Sequence, residues 1–485
     1  MSAEHLARLL VSGLMALVFA WTVFSRYDPE IGSEEGDGRQ KYRPYAAGSL
    51  LPGVLLGLAV VAAIFLGPGE AAHQTLSMCF GIFLQICLYY LLLLPALPLL
   101  RRHISARACA LLWMIPNYLY VTHQGAMKLP RPALVLRARG DWLWMAFALW
   151  LAGFLGVLLW KCIGHLRFRR HILKNARPVT DPELLALWQG ALEEAGFRKV
   201  RFKLVTSPHV CTPLTVGLLR IFTRVVLPQK AYSPEEMALI LRHEIVHIGR
   251  EDSWNKFFLL FCTAMCWFNP LMWLAMGKCA EDLELSCDET VLLESDAAQR
   301  RRYAELLLQT AGDSRGFTTC LSASARAMRY RLTSIAKARQ KKSGALIVAA
   351  VFFLLCMSSG YVALAYDGVR GEAVLGPAGD WRLSSVMRLY DRDSSVYRCR
   401  DEGAFHEYLS ELELSRFTGN YSFSGGRREY ICILQTPEGA LGLSLYDDAV
   451  KLSSLHGKER KTRWYYVPAG IDWDYLDTIL MESPD

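Results

Sequence analysis

LILRHEIVHIGRED, residues 239–252, places His243 and His247 four residues apart with Glu244 between them. Residues four apart share a helical face, so two imidazoles at this spacing can reach one ion. The helix has a start signal just upstream. Ser233 is a capping residue, Pro234 takes the first helical position and Glu236 can complete a capping box. Glu244 lies one residue round from His243, close enough to hold and deprotonate a zinc-bound water. With 11 histidines in 485 residues, chance gives this five-residue pattern at roughly a few per cent or less. The capped helix strengthens the metal reading further.

A catalytic centre needs a third protein ligand and one open position. The stretch AEDLELSCDETVLLES, 280–295, offers it. Glu284 and Asp288 share a helical face. Glu284 is the candidate third ligand, and Asp288 can accept a hydrogen bond from a ligating histidine and fix its ring. Glu281, Asp282 and Glu289 compete on charge alone, and a merely solvated acidic helix has the same composition.

The chain is 52% hydrophobic and 21% charged, with mean hydropathy +0.18. Long apolar runs start at Leu9 and cover 50–68, 76–100, 108–121, 142–160 and 345–365, near the length of about 20 residues that a bilayer requires. The run at 108–121 is short and contains Pro116. Six Lys or Arg lie in 161–177 and seven in 326–342, with no acid in either segment. Basic runs beside apolar segments favour membrane anchoring over nucleic-acid binding, and both runs are expected on the cytoplasmic side. The loop at 123–141 then falls outside despite Lys128, Arg131, Arg137 and Arg139, against the charge rule.

This reading predicts a polytopic α-helical membrane protein. Residues 1–160 form a transmembrane region of five spans, 161–343 a cytoplasmic zinc metallopeptidase domain and 344–365 the last span. Residues 366–485 form a small β-rich or α+β extracytoplasmic domain. The apolar run 253–277 is no single crossing, because that would separate His247 from Glu284 by a bilayer. Asn269-Pro270 breaks it into a helix, a turn and a return helix. From Asp367 onward acids outnumber bases 20 to 14. Cys399 and Cys432 are the only cysteines there, and a disulfide between them is a candidate if the region is outside the cell.

HEIVHIGRED, WFNPLMWL and EDLELSCDE, with SPHVCTPLTVGLLRIFTRVVLP at 207–228, resemble the membrane metallopeptidases related to the bacterial beta-lactam sensor-transducers, the BlaR1/MecR1-like peptidase family M56. The resemblance covers about residues 140–365. It implies a membrane-apposed gluzincin fold and one zinc ion per chain. It also implies His243, His247 and Glu284 as ligands, Glu244 as general base and Asp288 as the supporting aspartate. The sensors are cut between the metal helices and the last span, which makes Gly316–Phe317 the candidate self-cleavage site. They also act on a cytoplasmic repressor. Their outer domain carries Ser-x-x-Lys; no residue from 366 onward makes that motif here.

The leading expectation is therefore a zinc endopeptidase in signal transduction. Its partners would be the bilayer, a cytoplasmic repressor or other protein substrate, and a cell-envelope ligand for the C-terminal domain; a homodimer is compatible with the sequence. The alternatives are a housekeeping membrane-protein protease and a non-enzymatic receptor with a structural metal.

Overall fold

The structure is a computed structural model, and it describes residues 3–24, 51–122, 129–197, 202–218, 220–293, 295–311, 325–337, 341–377, 380–390, 393–417, 421, 428–437, 439–454 and 462–482. Its first part is a helical bundle. Helices α1 (Ala3–Phe24), α2 (Leu51–Leu66) and α3 (Pro68–Leu100) are followed by α4 (Ala106–Met114), a 3-10 turn at Ile115–Tyr118 and α5 (Leu119–Thr122). Pro116 lies in that turn, which explains the break in the fourth apolar run. Strand β1 (Leu134–Ala138) leads into α6 (Gly140–Leu173).

Next come β2 (Arg177–Pro178), α7 (Pro182–Glu194), β3 (Lys203–Ser207), β4 (Leu214–Val216) and β5 (Arg224–Pro228). They form a mixed sheet of order β2-β3-β5-β4, with β3 and β5 parallel. Five helices follow: α8 (Pro234–Arg250), α9 (Asp252–Met265), α10 (Pro270–Val291), α11 (Ala297–Ala311) and α12 (Ala325–Lys337). The apolar run 253–277 folds back on itself at Asn269, whose side chain accepts from the Leu271 N–H while Pro270 opens α10. The hairpin is part of the bundle core: Phe258, Phe261 and Met265 join Ile86, Tyr90 and Leu111 in one buried cluster.

Helix α13 (Ala345–Ser358) returns through the bundle. The expected helix over 345–365 stops early, and strand β6 begins at Val362. Arg8 of α1 supplies part of the reason, because its guanidinium donates to the carbonyls of Cys356, Met357 and Ser359. Gly360 then takes φ +90°, with Leu129 so close that a Cβ would lie 2.9 Å from its Cδ2.

The chain ends in β6 (Val362–Arg370), α14 (Gly371–Leu375), β7 (Arg382–Tyr390), β8 (Asp393–Cys399), α15 (Glu402–Glu411), β9 (Glu413–Phe417), β10 (Glu429–Thr436), β11 (Gly439–Leu445), β12 (Ala449–Ser454), β13 (Thr462–Tyr466), α16 (Trp473–Ile479) and β14 (Leu480–Glu482). These strands and β1 build one sheet of order β1-β6-β9-β13-β12-β11-β10-β7-β8-β14. The proposed disulfide is a miss: Cys399 on β8 and Cys432 on β10 have β7 between them, and both thiols are free. Two strand spacings of about 4.8 Å exceed the Cα separation of about 7 Å that a disulfide tolerates.

The bundle has two distinct ends. At one end β1 pairs in parallel with β6, and Glu70 at the start of α3 accepts from Tyr366 Oη. At the other, Arg101 beyond α3 reaches Asp282 of α10, and Ser105 before α4 donates to the Ser343 carbonyl. The C-terminal sheet therefore caps one end, and α8, the C-terminal half of α10, α11 and α12 lie at the other. Among the described residues, three helices are long and apolar enough to cross a membrane, at His5–Phe24, Pro68–Leu100 and Gly140–Leu173; Pro52–Phe65 and Ala345–Ser358 are shorter apolar helices. Leu17, Trp21, Phe65, Leu92, Leu149 and Trp160 stay exposed on their flanks. Large apolar side chains in such numbers suit lipid rather than water.

Candidate metal centre

Helix α8 begins as its sequence dictates. Ser233 Oγ accepts from the Glu236 N–H at 3.2 Å, and Glu236 Oε2 accepts from the Ser233 N–H at 2.9 Å. Two turns on, His243 Nε2 and His247 Nε2 stand 3.2 Å apart. Glu284 Oε2, from α10, lies 3.7 Å from the first and 3.6 Å from the second. A tetrahedral zinc ion with Zn–N bonds of 2.0–2.1 Å places neighbouring donors about 3.3 Å apart. The triangle of donors therefore fits such an ion with a few tenths of an ångström of adjustment.

Both rings are held by their other nitrogen. The Asp252 carboxylate only accepts, so His247 Nδ1 donates to its Oδ2 at 2.6 Å. Asp252 can reach back because Glu251 adopts φ +55° and turns the chain between α8 and α9. His243 Nδ1 meets Tyr303 Oη at 2.8 Å, and Tyr303 in turn donates to Asp288 Oδ1 at 2.7 Å. Asp288 Oδ1 is itself 3.7 Å from His243 Nδ1, so its support passes through the tyrosine. Arg331 of α12 grips the same carboxylate with two bonds of 2.6 Å, from Nε and from one terminal nitrogen. Each ring thus turns Nε2 toward Glu284.

Burial disfavours charge on both imidazoles, yet Cys287 and Glu284 outweigh it, raising His243 to about 10 and His247 well above its ordinary value. Burial likewise works against the Glu284 carboxylate, while Lys256 and the imidazoles hold it well below the usual range. A pocket that concentrates acidic donors in this way is suited to a cation. The residues present fit a metal ion.

Glu244 is buried, and its Oε2 accepts from Thr215 Oγ1 of β4 at 2.7 Å. Strand β4 lies at the edge of its sheet. Beside it is a cavity of about 450 Å³, lined by Leu166 and Arg169 of α6, Thr215 and Val216, and Lys256 and Phe257 of α9. Two of these residues touch the centre directly: Thr215 through Glu244, and Lys256 through a 3.2 Å bond to Glu284 Oε1.

The competing acids of α10 have other partners. Asp282 accepts from Arg101 at 2.7 Å and from Trp113 Nε1 at 2.8 Å. Glu281 pairs with Lys278, while Glu289 receives the Ala106 N–H and Lys341 Nζ. Arg250, fully buried, donates to Ser286 Oγ at 3.0 Å and to Thr290 Oγ1, which clamps α8 to α10. Gly316 and Phe317 lie outside the described residues. Sequence reasoning missed Thr215, Tyr303, Arg331 and Cys287. Cys287 had a signal, being three residues past Glu284 on the same face; its Sγ and the two histidines form a group of donors within 4.8 Å of one another. Tyr303 and Arg331 had none, because they come from separate helices at no fixed spacing.

A family model described as BlaR1 peptidase M56 matches residues 92–335. The chain is 31% identical over 187 residues to "Regulatory protein BlaR1" of Bacillus licheniformis, covering 38% of this chain and 30% of that one. It is 26% identical over 117 residues to "Methicillin resistance mecR1 protein" of Staphylococcus aureus and of Staphylococcus epidermidis, covering 23% of this chain and 20% of each. The match therefore spans less than a third of the length of these curated relatives. The family match takes in the bundle's second half, the small mixed sheet and every residue of the donor cluster, and the chain belongs to the BlaR1 peptidase M56 family.

Proposed function

We propose that this membrane metallopeptidase is a zinc-dependent endopeptidase of the gluzincin type in a bacterial signalling system. Its substrate is a cytoplasmic or membrane-proximal protein, such as a transcriptional repressor or the chain itself. One observation carries the reading: Glu244 shares a helix with two imidazoles whose Nε2 atoms converge 3.2 Å apart beside Glu284.

The roles follow from the contacts. His243, His247 and Glu284 would hold the ion. Zinc supplies Lewis acidity for polarising the scissile carbonyl. Thr215 fixes one oxygen of Glu244, which leaves the other to take the proton of the attacking water and return it to the leaving amine. An extended substrate segment can pair with the edge of β4, with a side chain in the adjoining cavity.

Charge supports a cytoplasmic catalytic end and a C-terminal sheet outside. The basic segment 161–177 and the described part of 326–342, in α12 and at 341–342, lie at the catalytic end of the bundle. The basic loop at the other end has local partners: Arg131 pairs with Asp447 and Asp448, and Arg137 with Glu413. These pairs support a docking role for Arg131 and Arg137 on an acidic domain. That sheet is the proposed receiver of a cell-envelope ligand.

The test is proteolysis of candidate cytoplasmic repressors by the full chain in detergent, comparing wild type with Glu244→Gln. The variant should keep zinc and fold and lose hydrolysis. Unchanged cleavage by the variant would overturn the mechanism.

A further inference from the structure

Helix α10 presents more than one donor to the histidines. Glu284 and Cys287 are three residues apart and therefore neighbours on one helical face. Cys287 is fully buried. Its Sγ lies within 4.8 Å of the donor atoms of both His243 and His247. The other buried cysteines of the bundle, such as Cys79 and Cys262, sit within its apolar core. Apart from the imidazoles, Cys287 Sγ has a weak partner among the described residues, the His243 carbonyl at 3.4 Å. A thiolate is a good zinc ligand, at about 2.3 Å, and a tetrahedral centre places such a sulfur about 3.6 Å from its imidazole neighbours. Among the two imidazoles and the sulfur, the observed spread needs an adjustment of about an ångström.

We propose that Cys287 is a metal ligand in the resting protein and closes the centre. This rests on the metal reading above and extends it. With His243, His247 and Glu284 it makes four protein ligands, and a centre with four protein ligands has no position for water. The resting peptidase is then latent. Opening is a ligand exchange without redox change: the metal–sulfur bond breaks, the thiolate takes up one proton, and water enters the vacated position. Glu284 and Cys287 share α10 with Asp288, which Arg331 holds from α12, so a shift of α12 against α10 is a means of driving the exchange.

The experiment uses the full chain in detergent, stripped of metal and loaded with cobalt. Wild type should show sulfur-to-cobalt charge-transfer absorption in the near ultraviolet together with the visible bands of tetrahedral cobalt. Cys287→Ser should lose the first and keep the second, and the zinc-loaded form of this variant should show higher basal proteolysis than wild type. Zinc X-ray absorption on unmodified protein should find one sulfur at about 2.3 Å, a result that depends on no variant. Visible cobalt bands without charge transfer, and a zinc shell of nitrogen and oxygen alone, would overturn the Cys287 assignment and leave the metal reading intact. A chain that takes up no cobalt would overturn both.

Discussion

Replacing Arg331 with alanine isolates the tie between α12 and the centre. The guanidinium makes two 2.6 Å bonds to a carboxylate that is 1% exposed, while its own side chain is 12% exposed. Removing one partner of a buried pair costs about 3–5 kcal/mol, because a charge is left behind without compensation. Here the lower end applies: Tyr303 still donates to Asp288, and water can enter the space left by a side chain that is not fully buried. About 3 kcal/mol is enough to make Asp288 move away from Tyr303, and that loosens the ring of His243. Loss of a group that orients a metal ligand typically weakens affinity about 10–100-fold, or about 1.4–2.7 kcal/mol. The assay is zinc competition against a chromophoric chelator with the full chain in detergent, alongside thermal unfolding. Arg331→Lys, which keeps the charge but not the two-bond fork, should fall between wild type and alanine. Zinc affinity and melting temperature both equal to wild type in Arg331→Ala would refute the reasoning.

Other consequences are equally specific. Thr215→Val removes the bond that positions Glu244; hydrogen bonds to charged groups are worth about 1.5–3 kcal/mol, so turnover should fall roughly 10–100-fold with zinc content unchanged, measured by peptide hydrolysis and metal analysis. Asp252→Asn leaves His247 with a weaker, uncharged acceptor, and zinc should dissociate faster than from wild type in a stopped-flow chelator experiment; an unchanged rate would remove Asp252 from the site. Arg137→Glu should loosen strand β1 at the edge of the C-terminal sheet, and adding Glu413→Arg should restore it. Protease sensitivity around β1 reads this; both side chains are about half exposed, so the effect on overall stability should stay within about 1 kcal/mol.

Local chemistry made the centre of the chain legible from its sequence. The capping box and the two histidines depend on spacings of three and four residues, and Asn269-Pro270 marks the turn between α9 and α10 by the same kind of rule. Glu284 and Asp288 stood out because a helix repeats. Asp252 was present in the quoted stretch, but its contact with His247 depends on the left-handed turn at Glu251, which no spacing rule announces. Tyr303 and Arg331 lie far along the chain from His243; tertiary packing alone brings Tyr303 to its ring and Arg331 to Asp288. The partners of Arg131 were illegible for the same reason: Asp447 and Asp448 lie more than 300 residues away. The paired cysteines failed as a prediction because strand order, which decides their separation, is not written in the strands' own composition.

The central claim is that His243 and His247 hold one zinc ion for catalysis. Metal analysis of the detergent-purified full chain tests it most directly, with wild type and the double variant His243→Ala/His247→Ala prepared side by side. The account predicts one zinc per chain in wild type and loss of that zinc in a double variant that still folds; zinc persisting at one per chain in the double variant would contradict it.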